Sequence, residues 1–117
     1  MRKKTSTNFV NEQQILESCS MALTISLLSG RWKPTILWHL QKEGLTYTDL
    51  KRKLQGVTER MLVKQLQELE ESKLIAKKPL ADGPNRSVYV LTETGSSIIP
   101  LLKQIEKWGD GYKAQHA

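Results

Sequence analysis

Apolar residues recur along this chain at two kinds of spacing, and the change from one to the other divides it into elements. From about Val10 to Leu28 they fall near a 3.6-residue period, at Ile15, Cys19, Ala22 or Leu23, and Leu27. Ser29-Gly30 ends that predicted helix. Trp32 opens a second, which tolerates Pro34 in its first turn and buries Ile36, Leu37 and Leu40. Lys42-Glu43-Gly44 closes it. Between residues 46 and 72 the period predicts two short helices joined by a tight turn. Tyr47, Leu50 and Leu54 share one face of the first. Gln55-Gly56-Val57 makes the turn, with Gly56 free to take a positive φ. Thr58 is a good N-cap for the second, and Glu59 sits near the positive end of its dipole. Leu62, Leu66 and Leu69 form its apolar stripe, opposite Glu59, Arg60, Val63, Lys64 and Gln67. Two helices, a three-residue turn and a polar, partly basic outer face describe a helix-turn-helix.

From Leu74 the pattern changes. Leu74-Ile75-Ala76 leads into Lys77-Lys78-Pro79, a short strand that turns basic. Leu80 to Arg86 gathers Gly83, Pro84 and Asn85 into a loop. Ser87-Val88-Tyr89-Val90-Leu91 is β-branched and aromatic, a second strand. A hairpin over residues 74–91, straight after a helix-turn-helix, gives the element order of a winged helix. Its Lys77, Lys78 and Arg86 suit a phosphate-lined groove. Thr92-Glu93-Thr94-Gly95 then leads into a last helix, expected over residues 96–112. Ile98, Ile99, Leu102, Ile105 and Trp108 give it a broad apolar stripe, Pro100 lies in its first turn or so, and Gly109-Asp110-Gly111 weakens its end. Such a stripe either closes the domain's own core or pairs with a partner chain. Its place outside the winged-helix core favours the partner. The predicted fold is mainly α with a small β-hairpin wing: a winged helix-turn-helix whose last helix is expected to meet a partner chain. Residues 1–9 are expected to form a flexible arm, and residues 10–117 a single domain.

Composition narrows the partner. The chain has 117 residues, 38% hydrophobic and 26% charged, which is globular rather than disordered. One modest core fits that length, and small domains gain from oligomerisation. The formal net charge of +6 favours a polyanion such as nucleic acid. Met1-Arg2-Lys3-Lys4 could open a signal peptide, but Thr5 to Gln14 is largely polar and cannot form its apolar core. No stretch approaches the ~20 apolar residues of a membrane span. The protein is therefore expected to be cytoplasmic, with no membrane association.

Catalytic chemistry finds little to use. The chain holds one Cys and two His, so a zinc finger is excluded, and no Ser/His/Asp or Cys/His arrangement stands out. There is no phosphate-binding Gly loop. His39, beside Trp38 in a helix, reads as structural. No catalytic residue, metal or cofactor is expected. Cys19 is either a small apolar packing residue or a thiol that meets a second copy or a small electrophile. A cytoplasmic disulfide is usually transient and redox-sensing.

Over Cys19 to about Tyr112 the chain resembles the HxlR-type branch of the MarR-like winged-helix transcription regulators. Cys19 and, eleven residues on, Gly30-Arg31-Trp32-Lys33 are similar to that family's Cys…Gly-Lys-Trp signature. Gly44, Tyr47 and Leu50 resemble its Gly…Phe…Leu. Thr58-Glu59-Arg60-Met61-Leu62 and Leu66-Gln67-Glu68-Leu69-Glu70 look like its recognition helix. Pro84, Arg86, Tyr89, Leu91-Thr92 and Gly95 resemble its wing and exit turn, and Pro100 and Trp108-Gly109 its last helix. The chain departs from the pattern at Gln65 (usually Arg), Val88 (usually Glu) and Ser20 (commonly Pro).

The resemblance implies a homodimer held by its first and last helices, bound to double-stranded operator DNA. Ile15, Ile98, Ile99, Leu102, Ile105 and Trp108 are the expected dimerisation residues. Thr46, Thr58, Glu59, Arg60, Lys64, Gln65, Lys77, Lys78 and Arg86 are the expected DNA contacts. In some members the Cys equivalent to Cys19 senses oxidants or electrophiles. The reading is thus a dimeric transcription regulator, a repressor rather than an activator. Two rivals stand beside it: a winged-helix module that binds protein, and a regulator that answers a small molecule without thiol sensing. The cations Arg60, Lys64, Lys77, Lys78 and Arg86 argue against the first.

Overall fold

The computed structural model describes residues 19–82 and 86–116. The expected arm over residues 1–9, the start of the expected first helix with Val10 and Ile15, and the loop residues Gly83, Pro84 and Asn85 lie outside the described residues. Among the described residues six helices and one hairpin follow in order: α1 (Ser20–Leu28), α2 (Lys33–Leu40), α3 (Tyr47–Lys53), α4 (Glu59–Glu71), β1 (Ile75–Pro79), β2 (Ser87–Leu91), α5 (Glu93–Ser97) and α6 (Ile99–His116).

The helix-turn-helix forms because its ends are closed locally. The Asp49 N–H donates to Thr46 Oγ1 (3.1 Å) while the Thr46 N–H donates to Asp49 Oδ2 (3.2 Å), a reciprocal capping box that starts α3. Gly56 takes φ 91° in the turn, a conformation an L side chain resists. Thr58 then caps α4, its Oγ1 accepting from the Met61 N–H at 3.1 Å. Leu62, Leu66 and Leu69 are buried together with Leu50 and Leu54. The far end of α4 closes in a Schellman turn. The Lys73 N–H donates to Glu70 O and the Leu74 N–H to Leu69 O, both at 3.0 Å, with Lys73 held at φ 65°.

The wing is tied to the rest of the fold at its middle and at its base. β1 and β2 pair antiparallel, with Lys77 opposite Tyr89 and Lys78 opposite Val88. Leu45 and Tyr89 exchange two backbone hydrogen bonds (3.1 and 2.8 Å), so the residue just before the Thr46 cap is stitched to the middle of β2. At the wing's base the Thr92 hydroxyl donates to Lys73 O at 2.6 Å and accepts from the Gly95 N–H. Gly95 lies so close to the Leu74 carbonyl that a Cβ there would sit 1.9 Å from its oxygen. Only glycine lets α5 approach so near.

The flanking helices differ from expectation. Cys19 is extended (φ −122°, ψ 105°) and stands as the N-cap of α1, so no continuous helix runs through it. The apolar spacing in the sequence does not register this start, because spacing alone carries no information on the backbone of a single residue. No residue of α1 is buried; only Leu27 and Leu28 rest against the core. The expected last helix divides in two at Ile98, with Thr92 capping the short α5. Pro100 falls at the second position of α6, where it removes no needed donor. Helix α6 continues through Gly109-Asp110-Gly111 to His116. Each glycine costs about 1 kcal/mol in a helix interior. Trp108, Tyr112 and His116, stacked one turn apart at 5.5 and 4.3 Å, offset part of that cost. No described helix is long and apolar enough to cross a membrane.

Helix α2 occupies the centre, packing against α4, β2 and α6. Its first turn contains Lys33, 8% exposed, whose Nζ lies 3.1 Å from Glu68 Oε1 on α4. That ion pair, with Lys33 buried and Glu68 partly exposed, ties α2 to α4.

Candidate nucleic-acid interface

Two grooves meet at Tyr47. The first, about 720 Å³, runs along the outer face of α4 between Glu59, Arg60, Val63, Lys64 and Gln67. The second, about 550 Å³, lies between the start of α3 and the wing, with Thr46, Thr48, Arg52, Lys77, Arg86 and Ser87 among its lining. The Leu45–Tyr89 stitch and the Thr46 cap fix the second groove's width, since they hold α3 against β2. Burial, reinforced by the carboxylate of Glu59 and by Tyr89, pushes the Tyr47 phenol above its ordinary value. Its hydroxyl therefore stays protonated and able to donate between the two grooves. Hydrogen bonds from Thr46, its backbone N–H first, hold the Asp49 carboxyl below the usual range, so the capping box is charged at neutral pH.

The expected contact residues divide between these places. Glu59, Arg60 and Lys64 line the α4 groove; Thr46, Lys77 and Arg86 line the wing groove. Thr58 is exposed at the mouth of α4 with its oxygen engaged as the cap. Lys77 leans over the Tyr89 ring at 5.6 Å, whereas Lys78, its neighbour on a pleated strand, points to the other side of the hairpin. Arg86 Nη1 donates to Asp82 Oδ2 at 3.0 Å. Gln65 is the exception. It lies against Gly30, its Nε2 reaches Glu68 Oε1 at 3.4 Å, and its own Oε1 is buried without a partner. A helix turns about 100° per residue, which carries Gln65 away from the face that Lys64 shares with Arg60. Gln65 is thus an internal residue beside the Lys33–Glu68 pair, not part of the outer face.

Among the expected dimerisation residues, Ile99 and Leu102 are buried in the chain's own core, Ile98 is half-buried, and Ile105 and Trp108 are exposed. The first two therefore close the monomer's core and offer nothing to a partner. Cys19 is half-buried and free. Among the described residues no cluster of His, Cys, Asp or Glu could hold a metal ion. The groove residues outside the expected contacts are Tyr47, Thr48, Asp49, Arg52, Ser87 and Tyr89 on the wing side and Val63 and Gln67 on α4. For Arg52 the signal is the run Lys51-Arg52-Lys53 in the last turn of α3; for Tyr47 the sequence offers an apolar helix position and a match to the family's aromatic.

An HxlR-like helix-turn-helix family model matches residues 27–117 of the chain. The chain belongs to the HxlR-like helix-turn-helix family. It is 45% identical over 92 residues to the MalR regulatory protein of Fusobacterium mortiferum, covering 78% of this chain and 87% of that one. Among solved structures it resembles a MarR-family transcriptional regulator from Porphyromonas gingivalis W83 (TM-score 0.73, 31% identity, 80% of this chain and 91% of that one). It also resembles the redox regulator HypR in its oxidised form (TM-score 0.73, 28% identity, 80% of this chain and 96% of that one). This HxlR-like chain is accordingly a DNA-binding transcriptional regulator with a winged helix-turn-helix fold, and not an enzyme.

Proposed function

We propose that this regulator acts in the cytoplasm as a homodimeric repressor that reads a pseudo-palindromic operator. Helix α4 enters the major groove with Arg60 and Lys64 toward base edges and phosphates, and the sugar-phosphate backbone lies in the wing groove against Lys77 and Arg86. One observation carries this reading: the groove along the polar face of α4 and the groove that holds the wing cations Lys77 and Arg86 adjoin at Tyr47, which lines both. Exposed apolar side chains on α1 and α6, Met21, Ile25, Ile105 and Trp108, support the second copy, because a monomer leaving them in water would tend to aggregate.

The test is binding to duplexes selected from a random pool, measured by fluorescence anisotropy over a salt series. Half-sites about 34–36 Å apart are expected. Arg60→Ala should lose about 1–3 kcal/mol of base discrimination. Arg86→Ala should weaken all duplexes alike and lower the salt slope by about one unit. A 13.4 kDa particle in sedimentation at micromolar concentration sinks the dimer.

Release from DNA by oxidants or electrophiles through Cys19 belongs to the same proposal. Cys19 is a half-buried free thiol at the N-terminal cap of α1, and HypR is a redox regulator of the same fold. An adduct there would sit where α1 is expected to meet the partner. Oxidant should release DNA from the wild type and not from Cys19→Ser; identical dose responses would reduce Cys19 to a packing residue.

A further inference from the structure

We propose that Val63 is a specificity-determining residue that reads the 5-methyl group of a thymine in each half-site. The inference rests on the placement of α4 in the major groove. Val63 is 43% exposed and belongs to neither the core nor its fringe. It lies one helical turn from Glu59 and from Gln67 and three residues from Arg60, in the middle of the α4 groove. Every other residue of α4 that lines this groove can exchange hydrogen bonds with a base edge; Val63 cannot.

The helix itself gives no reason for a valine at this position. A β-branched side chain loses rotamer freedom there, and an exposed one recovers nothing from local packing. Against DNA its value changes. The major-groove edges of guanine, cytosine and adenine present donors or acceptors, which an apolar side chain would strip of water without replacing. The thymine methyl is the one apolar group on those edges. Val63 therefore selects thymine in two ways: its isopropyl group covers that methyl, and it penalises the polar alternatives.

The experiment uses the full chain and a duplex enriched from a random pool, remade with each thymine in turn replaced by deoxyuridine, which removes only the methyl. One thymine per half-site should stand out, its replacement weakening wild-type binding about fourfold, the worth of one buried methyl-sized group. Val63→Ala, which favours the helix and folds, removes both contacts of the dimer and should bind the thymine and uracil forms alike, at the level of wild type on a duplex with uracil in both half-sites. An enriched site indifferent to every uracil overturns the inference alone, as does Val63→Ala losing as much on uracil as the wild type does. A pool from which no sequence is enriched overturns it together with the proposed reading of DNA.

Discussion

The helix-turn-helix and the flanking helices use the same apolar period to opposite ends. In α3 and α4 the leucines of the stripe are closed from water, and caps satisfy the helix ends within a few residues of themselves. In α1 and the far half of α6 the stripe faces solvent: Met21 is 71% exposed, Ile25 62% and Trp108 72%. One region completes itself, and the other leaves an apolar surface in water, where the proposed second copy would sit. A 3.6-residue period states that a helix has an apolar side, and says nothing about which chain supplies the cover.

The contrast can be broken by substitution. Leu66→Ala should cost about 3 kcal/mol, a fully buried leucine leaving a cavity, read by urea unfolding. Gly95→Ala should cost about 1–3 kcal/mol, since its Cβ overlaps the Leu74 carbonyl. In the flanks, Ile25→Ser with Trp108→Ser should change the unfolding of dilute monomer by no more than about 0.5 kcal/mol. The same pair should abolish the rise of Tm with protein concentration that a dimer shows. If that double variant destabilises the dilute chain as much as Leu66→Ala does, the two regions are not distinct. Lys73→Gly should stabilise by about 1 kcal/mol, because it relieves a left-handed lysine at the end of α4.

The smallest expected effect is on pH. Burial first, then Lys53 and Lys42, hold the His39 imidazole below its ordinary value of 6.5. The unfolded chain thus binds the proton more readily, and stability falls as pH drops through that value. His39→Gln should flatten this part of a pH-dependent urea series.

What the sequence makes legible is what local chemistry decides. Thr46, Gly56 and Thr58 punctuate the helix-turn-helix within a few residues of the structure they specify, and the change of period at Leu74 marks the wing. Lys33 is hidden for the opposite reason: a lysine beside a proline reads as exposed until α4 brings Glu68 across it. The stripe of α6 could not be divided in advance either. Helix α2, with eight residues, is about 12 Å long, and α6, with eighteen, about 27 Å. Leu102 is closed by the core, Ile105 lines an open groove with Pro34, Thr35 and Trp38 of α2 and stays half exposed, and Trp108 is 72% exposed. Gln65 stands beside Lys64 and at a family position usually held by Arg, and neither fact shows which way its side chain turns.

The ion pair at the wing tip bears on rates. Because Asp82 accepts from Arg86 at 3.0 Å, the two charges nearly cancel beyond a Debye length, about 8 Å at physiological salt. In the proposed complex, DNA would be drawn in mainly by the cations of α4 and β1, and Arg86 would exchange its carboxylate for a phosphate only after the backbone had seated. Arg86 would then govern how long the complex lasts and have little influence on how quickly it forms. Asp82→Asn would free that charge in advance, and at low salt association would quicken.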